Sequence, residues 1–345
     1  MTGTLLHVFP TFDVGGSQMR MATIANYFGP RWRHVVMAQD GRTACAQRLK
    51  IDVTLVTPPS GLLARRRILR DLAPSRLVTY NWGSMDWVMA NWPGLIPHLH
   101  VEDGFGPDEA TGQLKRRVFA RMLLLRRSTV LLPSQTLYAI ARNVWRLPAR
   151  CLRYVPNGID CDRFALGDQG IFPPDPPIIG TVAALRPEKN IARLVDAFAR
   201  VVAQRPAQLI IVGDGPERPA LTNRVRALGL TDLVTFTGAH PNPERLLPSF
   251  AVFALSSDTE QMPISLLEAM AAGLPVAATD VGDVRAMLPR ANPVTAKSTE
   301  ALAQALLDLL AEPNHAEAVG RANAVHVRNA YDQATMFSAW AKLLQ

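Results

Sequence analysis

Cysteine is scarce in this chain: three in 345 residues, Cys45, Cys151 and Cys161, with no CxxC pair and no metal-ligand spacing. Neither a disulfide framework nor a zinc site organises such a sequence, and a reducing cytosol fits it best. Long apolar runs are missing too. None approaches the ~18 residues needed to span a bilayer, and the opening "MTGTLLHVFPTFDVGG" lacks the basic and apolar regions of an export signal, so a cytoplasmic chain is expected. No solenoid period and no low-complexity tract is present. After "GDGP", the third glycine of G-x-G-x-x-G is absent and Arg218 takes its place, which argues against a dinucleotide cofactor. No Asp-x-Asp pair stands where it would hold a divalent cation, so neither a metal nor a cofactor is expected.

Acidic residues are few in the first half alone. Residues 1–165 carry 22 Lys and Arg against 11 Asp and Glu, and the remainder carries 15 against 18. The excess points to an anionic partner: nucleic acid, anionic lipid or a phosphorylated substrate. Two arginine-rich stretches, "ARRRILR" and "KRRVFARMLLLRRS", set cations around apolar faces at helical spacing, as a helix resting on an anionic membrane does, and as an ordinary basic helix packed on a sheet also does. Aromatic interleaving of the kind nucleic-acid binding requires is lacking, and no nucleic-acid partner is expected.

Hydrophobic residues at 48% and charged residues at 19% describe an ordered globular protein, and the length exceeds one hydrophobic core. Short apolar runs alternate with helical patterns, as in "QLIIVG" followed by "ERPALTNRVRALG", the signature of strand-helix units around parallel sheets. An α/β architecture with two doubly wound domains is predicted. The Gly-, Asp- and Pro-rich stretch 157–177 interrupts the pattern, so the domains are read as 1–165 and 166–330, with 331–345 a helix packing back toward the first. Strands in the second domain are predicted near 178–184, 208–212, 233–237, 251–255 and 275–279.

The stretch "SSDTEQMPISLLEAMAAGLPVAATD" carries Glu260 and Glu268 on either side of Met262-Pro263, after a buried-strand pattern. Pro263 suits a helix start and Gly273 its end. Ligands of open α/β sheets collect at the carboxyl ends of strands, where a helix N-terminus offers N–H groups and a positive dipole. Met262, Pro263, Ile264 and Ser265 therefore form a candidate phosphate seat. Glu260 beside it is placed to accept hydrogen bonds from sugar hydroxyls, and Glu268, further along the helix, from a ribose diol. A capping Glu260 with a solvated Glu268 is the alternative for the spacing alone.

This stretch resembles the E-x7-E segment of retaining glycosyltransferases of family four. "VPNGIDCDRF", "ALRPEKN", "VGDGPE" and "EAMAAGLPVAATDVGD" resemble further blocks of that family in order and spacing, strongly over residues 150–285 and more weakly before, where "FDVGGSQMR" resembles its Gly-Gly loop. The resemblance implies the GT-B fold: two facing Rossmann-like domains with a deep interdomain cleft. It implies that Gly15 and Gly16 let backbone N–H groups approach the donor's distal phosphate. It also implies that Gly213 and Gly215 line the nucleotide pocket and that the loop at Gly238 and His240 contacts the base.

Where the family reads Gly-Arg-Leu, this chain has Ala183-Ala184-Leu185; Lys189 is kept to neutralise the leaving diphosphate, and Arg186 is a candidate substitute for the arginine expected at Ala184. On the acceptor side, "PHLHVEDGFGPDE" resembles the place of the family's important histidine, with His100 the first candidate and Asp103 the second. A structural histidine buried on that strand is the competing reading.

The implied activity is retaining, metal-independent transfer of a sugar from a nucleotide-diphosphate donor to a hydroxyl of a glycan or lipid-diphosphate-linked acceptor. It would take place in the cytoplasm, peripheral to the inner face of the membrane. A catalytically impaired nucleotide-sugar-binding accessory protein and a GT-B nucleotide-sugar epimerase are the alternatives.

Overall fold

The computed structural model describes residues 3–109, 112–165, 171–173 and 175–344. The chain divides into two compact units, 1–157 with 336–345, and 158–335. Each is a parallel sheet with helices, so the Rossmann-like α/β expectation holds.

The first unit contains strands β1 (Thr4–Phe9), β2 (Arg33–Ala38), β3 (Val53–Leu55), β4 (Arg76–Tyr80), β5 (His98–Val101), β6 (Thr129–Leu132) and β7 (Leu152–Tyr154) in the order β3-β2-β1-β4-β5-β6-β7. Alternate residues of β1 serve different cores. Leu5 and Phe9 pack with the helix Gly16–Phe28 and with Met336, Phe337, Trp340 and Leu344 of the helix Gln333–Leu344, while Leu6 and Val8 pack with Leu69 and Trp87. Two-sided burial of this kind is the mark of a parallel sheet and accounts for its near-continuous apolar strands.

The second unit contains β8 (Ile178–Val182), β9 (Gln208–Val212), β10 (Val234–Gly238), β11 (Val252–Leu255), β12 (Val276–Thr279) and β13 (Val294–Thr295) in the order β10-β9-β8-β11-β12-β13. Ile179, Leu209, Ile211 and Val252 enter one core, and Ile178, Ile210, Val212 and Phe253 enter the other. The order reverses between β8 and β11, which makes their carboxyl ends the topological switch point where such sheets bind ligands.

The chain passes between units earlier than a break at 165 and 166 would have it, and residue 166 itself lies outside the described residues. Ile159, Cys161 and Phe164 are buried with Ile178, Phe253 and Met262, so 158–165 belong to the second core. Their apolar side chains, masked in the sequence by the surrounding Gly and Asp, decide the matter. Among the described residues, no helix is long and apolar enough to cross a membrane.

Candidate active site

The carboxyl ends of β8 and β11 frame a small recess lined by Thr181, Ala183, Lys189, Ser257, Glu260 and Ser265, among others. Lys189 Nζ donates to Glu260 Oε1 at 2.5 Å, and Ser257 Oγ donates to the same oxygen at 2.8 Å. The side chains of Lys189 and Glu260 are 24% and 10% exposed, enough to meet a ligand yet sheltered enough to limit screening of their charges. Ser265 belongs to the first turn of the helix Ile264–Ala271, for which Pro263 is the N-cap residue, and Met262 just before it is buried in the core. First-turn N–H groups have no acceptor within their own helix, so this end of the recess is suited to an anion.

Several residues that the sequence did not single out hold this arrangement. Asn190, at φ 41°, caps the helix Ile191–Val202 by accepting from the Arg193 N–H, and its Nδ2 donates to Asp258 at 2.9 Å. Arg193 reaches Asp258 at 2.6 Å and the Ser256 carbonyl at 2.8 Å. Ser256 Oγ donates to the Lys189 carbonyl, the Asp258 N–H donates to the Glu188 carbonyl, and fully buried Thr279 donates to the Ser257 carbonyl at 2.7 Å. These bonds clamp the Lys189 loop to the Glu260 loop. Asn and Asp next to a basic loop gave no signal of this, because the pairs meet across more than 60 residues of chain.

Glu268 stands apart from the pair. Burial pushes its carboxyl up to about 7, against a lowering by Arg163 and with a further rise from Glu244. Those two residues pair with each other at 2.8 Å. A carboxyl so placed changes charge near neutral pH, the range in which it would answer a ribose diol.

Gly213 and Gly215 have a demonstrable structural duty. A Cβ on Gly213, at φ +141°, would lie 1.8 Å from the Ala183 carbonyl oxygen, and one on Gly215 2.5 Å from that of Leu185. The turn thereby packs directly on the loop that leads to Lys189, with the Leu185 N–H donating to the Asp214 carbonyl. Gly238, at φ +76°, ends β10, and His240 Nδ1 accepts from the Asn242 N–H at 3.2 Å.

The structure does not bring Arg186 into the recess. Its side chain is 58% exposed and its nearest carboxylate is Glu188 at 4.0 Å, while Ala184, where the resemblance expects an arginine, is exposed. The 3-10 turn Pro187–Lys189 sends Lys189 inward and leaves Arg186 ahead of it in solvent.

In the first unit, His100 is fully buried. Its Nδ1 lies 2.8 Å from Thr79 Oγ1, and its Nε2 lies 3.4 Å from Glu102, itself bonded to Arg121. His98 shares Thr79 Oγ1 and reaches Ser128 at 2.7 Å. His100 thus belongs to an internal polar network, the arrangement that the competing reading of a structural histidine on that strand describes. Asp103 is different. It pairs through both oxygens with Arg20, at 2.6 and 2.8 Å, and Arg20 also donates to Asn157 at 2.7 Å. The Asp103 N–H donates to Asn81, just past β4. Gly15 and Gly16 start the helix that carries Arg20. A Cβ on Gly15 would meet only the flexible end of Gln18. Arg20 and Asn157, both inside quoted motifs, had no sequence signal that they would meet.

Residues 176–312 match the family described as glycosyl transferases group 1. Among curated proteins, the chain is 37% identical over 103 residues to the N-acetyl-alpha-D-glucosaminyl L-malate synthase of Bacillus anthracis, covering 30% of this chain and 27% of that protein. It is 31% identical over 205 residues to the GDP-mannose-dependent alpha-(1-6)-phosphatidylinositol monomannoside mannosyltransferase of Mycobacterium tuberculosis, covering 51% of each. The matched regions thus span about half, or less, of these relatives' lengths. Among solved structures, Anabaena HepE in complex with UDP superposes with a TM-score of 0.82 at 18% identity, covering 99% of each chain. Residues 176–312 are therefore a glycosyl transferases group 1 domain, carried on a chain with the GT-B fold of two parallel-sheet, Rossmann-like units.

Proposed function

We propose that this chain transfers a sugar from a nucleotide-diphosphate donor to an acceptor hydroxyl, with retention of anomeric configuration. The observation that carries the reading is the recess holding Lys189, Glu260 and Ser265 at the β8 and β11 strand ends, inside the group 1 domain. In the proposed step the acceptor oxygen bonds to the anomeric carbon as the bond to the diphosphate breaks on the same face. The acceptor proton passes to the departing phosphate oxygen. Lys189 and the N–H groups around Ile264 and Ser265 neutralise the charge that develops there, Glu260 orients the sugar through its hydroxyls, and Glu268 accepts from the ribose. Since these groups supply the compensating charge, the reaction is read as metal-independent, and a chelator is to leave it intact.

HepE is described in complex with UDP and UDP-glucose, and the Mycobacterium tuberculosis relative is named for GDP-mannose. UDP and GDP donors are therefore the first to try. On the first unit, the helix Lys115–Leu124 exposes Lys115, Arg116, Phe119 and Leu123, and Arg126 and Arg127 follow; Phe119 is 61% exposed. Cations flanking exposed apolar side chains support a peripheral contact with an anionic membrane at the cytoplasmic face, and with it a glycan or lipid-linked acceptor.

The test is binding of UDP, GDP, ADP and dTDP by thermal shift or ligand-detected NMR, followed by sugar transfer from the matching donor. Selective binding of one, lost in Glu268→Ala, is expected. Failure to bind any of the four would sink the reading. Exposed Ala184 favours one second reading, a donor-binding accessory protein, which would bind a donor and turn nothing over.

A further inference from the structure

The two charged groups assigned to opposite ends of the reaction, Lys189 to the diphosphate and Glu260 to the sugar, are bonded to each other at 2.5 Å. The Glu260 carboxylate is not free to turn aside. Ser257 Oγ holds the same Glu260 oxygen at 2.8 Å, the Ser256 hydroxyl holds the Lys189 carbonyl at 3.0 Å, and Arg193, Asn190 and Asp258 bind the two loops together. An anion that comes to Lys189 must therefore share its ammonium with a carboxylate fixed beside it.

Resting on the reading above, we infer that Glu260 is a specificity-determining group that separates donor from product by charge. A nucleoside diphosphate without a sugar brings its phosphates up to the Glu260 carboxylate and offers that carboxylate nothing in return. The two anions repel across a few ångströms in a sheltered recess, where charges are only partly screened. A nucleotide-sugar sets hydroxyl groups between them, and each O–H donated to the carboxylate is a charge-assisted hydrogen bond that offsets the repulsion. Transfer of the sugar removes those donors. It turns a tolerated ligand into a repelled one, after which Lys189 returns to Glu260 and the diphosphate leaves. Product release is a common limit on turnover, so the pair would act at a step that matters.

The experiment is calorimetric titration of the full chain and of Glu260→Gln with UDP and UDP-glucose and with GDP and GDP-mannose. The diphosphate that binds the wild-type protein is expected to bind Glu260→Gln about tenfold more tightly. Its sugar-bearing form gains less or weakens, so the preference for donor over product falls. Glu260→Ala, which removes the carboxylate outright, is to move in the same direction and stands in should the glutamine variant fail to fold. Diphosphate affinity unchanged or weakened in the variants, with wild-type binding intact, overturns the inference and leaves the transferase reading standing. No binding of any of the four ligands to the wild-type protein overturns both.

Discussion

The Cα of Gly282 stands so close to Glu260 that a Cβ added to it would lie 2.2 Å from the Glu260 carbonyl oxygen. Gly282 also has φ +53°, a backbone conformation that other residues seldom adopt, and the Asp283 N–H donates to the Gln261 carbonyl. The loop after β12 thus forms the floor on which the Glu260 loop rests, and glycine is required there on two counts.

Gly282→Ala is accordingly expected to push the Glu260 backbone away and to destabilise the second unit by roughly 1–3 kcal/mol. Nucleotide-sugar affinity should fall along with thermal stability. A variant that melts and binds as the wild-type protein does would show that the contact relaxes at no cost.

Lys189 and Arg186 lie three residues apart and are expected to differ sharply. Lys189→Met removes a cation bonded within the recess and should lower turnover by about 100-fold or more. Arg186→Ala removes a solvent-exposed side chain and should leave turnover within about twofold. Steady-state kinetics of the two variants decide this, and a large loss in Arg186→Ala would mean that the side chain swings in when the donor binds.

Glu268 carries a pH dependence whose sign can be worked out. Burial raises its carboxyl to about 7, so the ionised form, the one proposed to accept ribose hydroxyls, is populated only as pH rises through that value. Nucleotide affinity should strengthen between about pH 6 and 8 and lose that component in Glu268→Gln. Because the folded state holds the proton more tightly than the unfolded one, stability should fall as pH rises from the ordinary carboxyl range through about 7. Thermal melts against pH would check this, and a Glu268→Gln variant with the wild-type slope would assign the effect elsewhere.

His98 works the other way in the first unit. Burial, then the neighbouring His100, lowers its pKa to about 3, so it is folded neutral and becomes charged more readily on unfolding. Stability is then present above the ordinary histidine value and is lost as pH falls below it, by about 2 kcal/mol at pH 5 from this residue alone. His7 and His34, bonded to each other at 3.0 Å and both lowered by burial, act in the same direction. Denaturant titrations at pH 7 and 5 should show a shallower loss in His98→Gln.

Legibility in the sequence followed the range of the interaction. The β8 to β12 strands were readable because Val-, Ile- and Leu-rich runs bounded by Gly and Pro are a local pattern. The helix Ile264–Ala271 was readable from Pro263 before it and Gly273 after. Glu260, Lys189 and Ser265 could be named because short motifs carry them. What local pattern does not contain is which side chains meet. Lys189 and Glu260 are 71 residues apart, and Arg20 and Asn157 are 137 apart. A strand covered on both faces has the same apolar sequence whichever way its register points, so nothing local could choose between the two readings of His100 or leave Arg186 in solvent. The sequence by itself determined the parallel α/β units and the residue types at the strand ends, since both depend on spacing along the chain. Only tertiary structure decided the Lys189–Glu260 bond, the Arg193–Asp258 clamp and the Gly282 floor, because each depends on how crossover connections bring separate strand ends together.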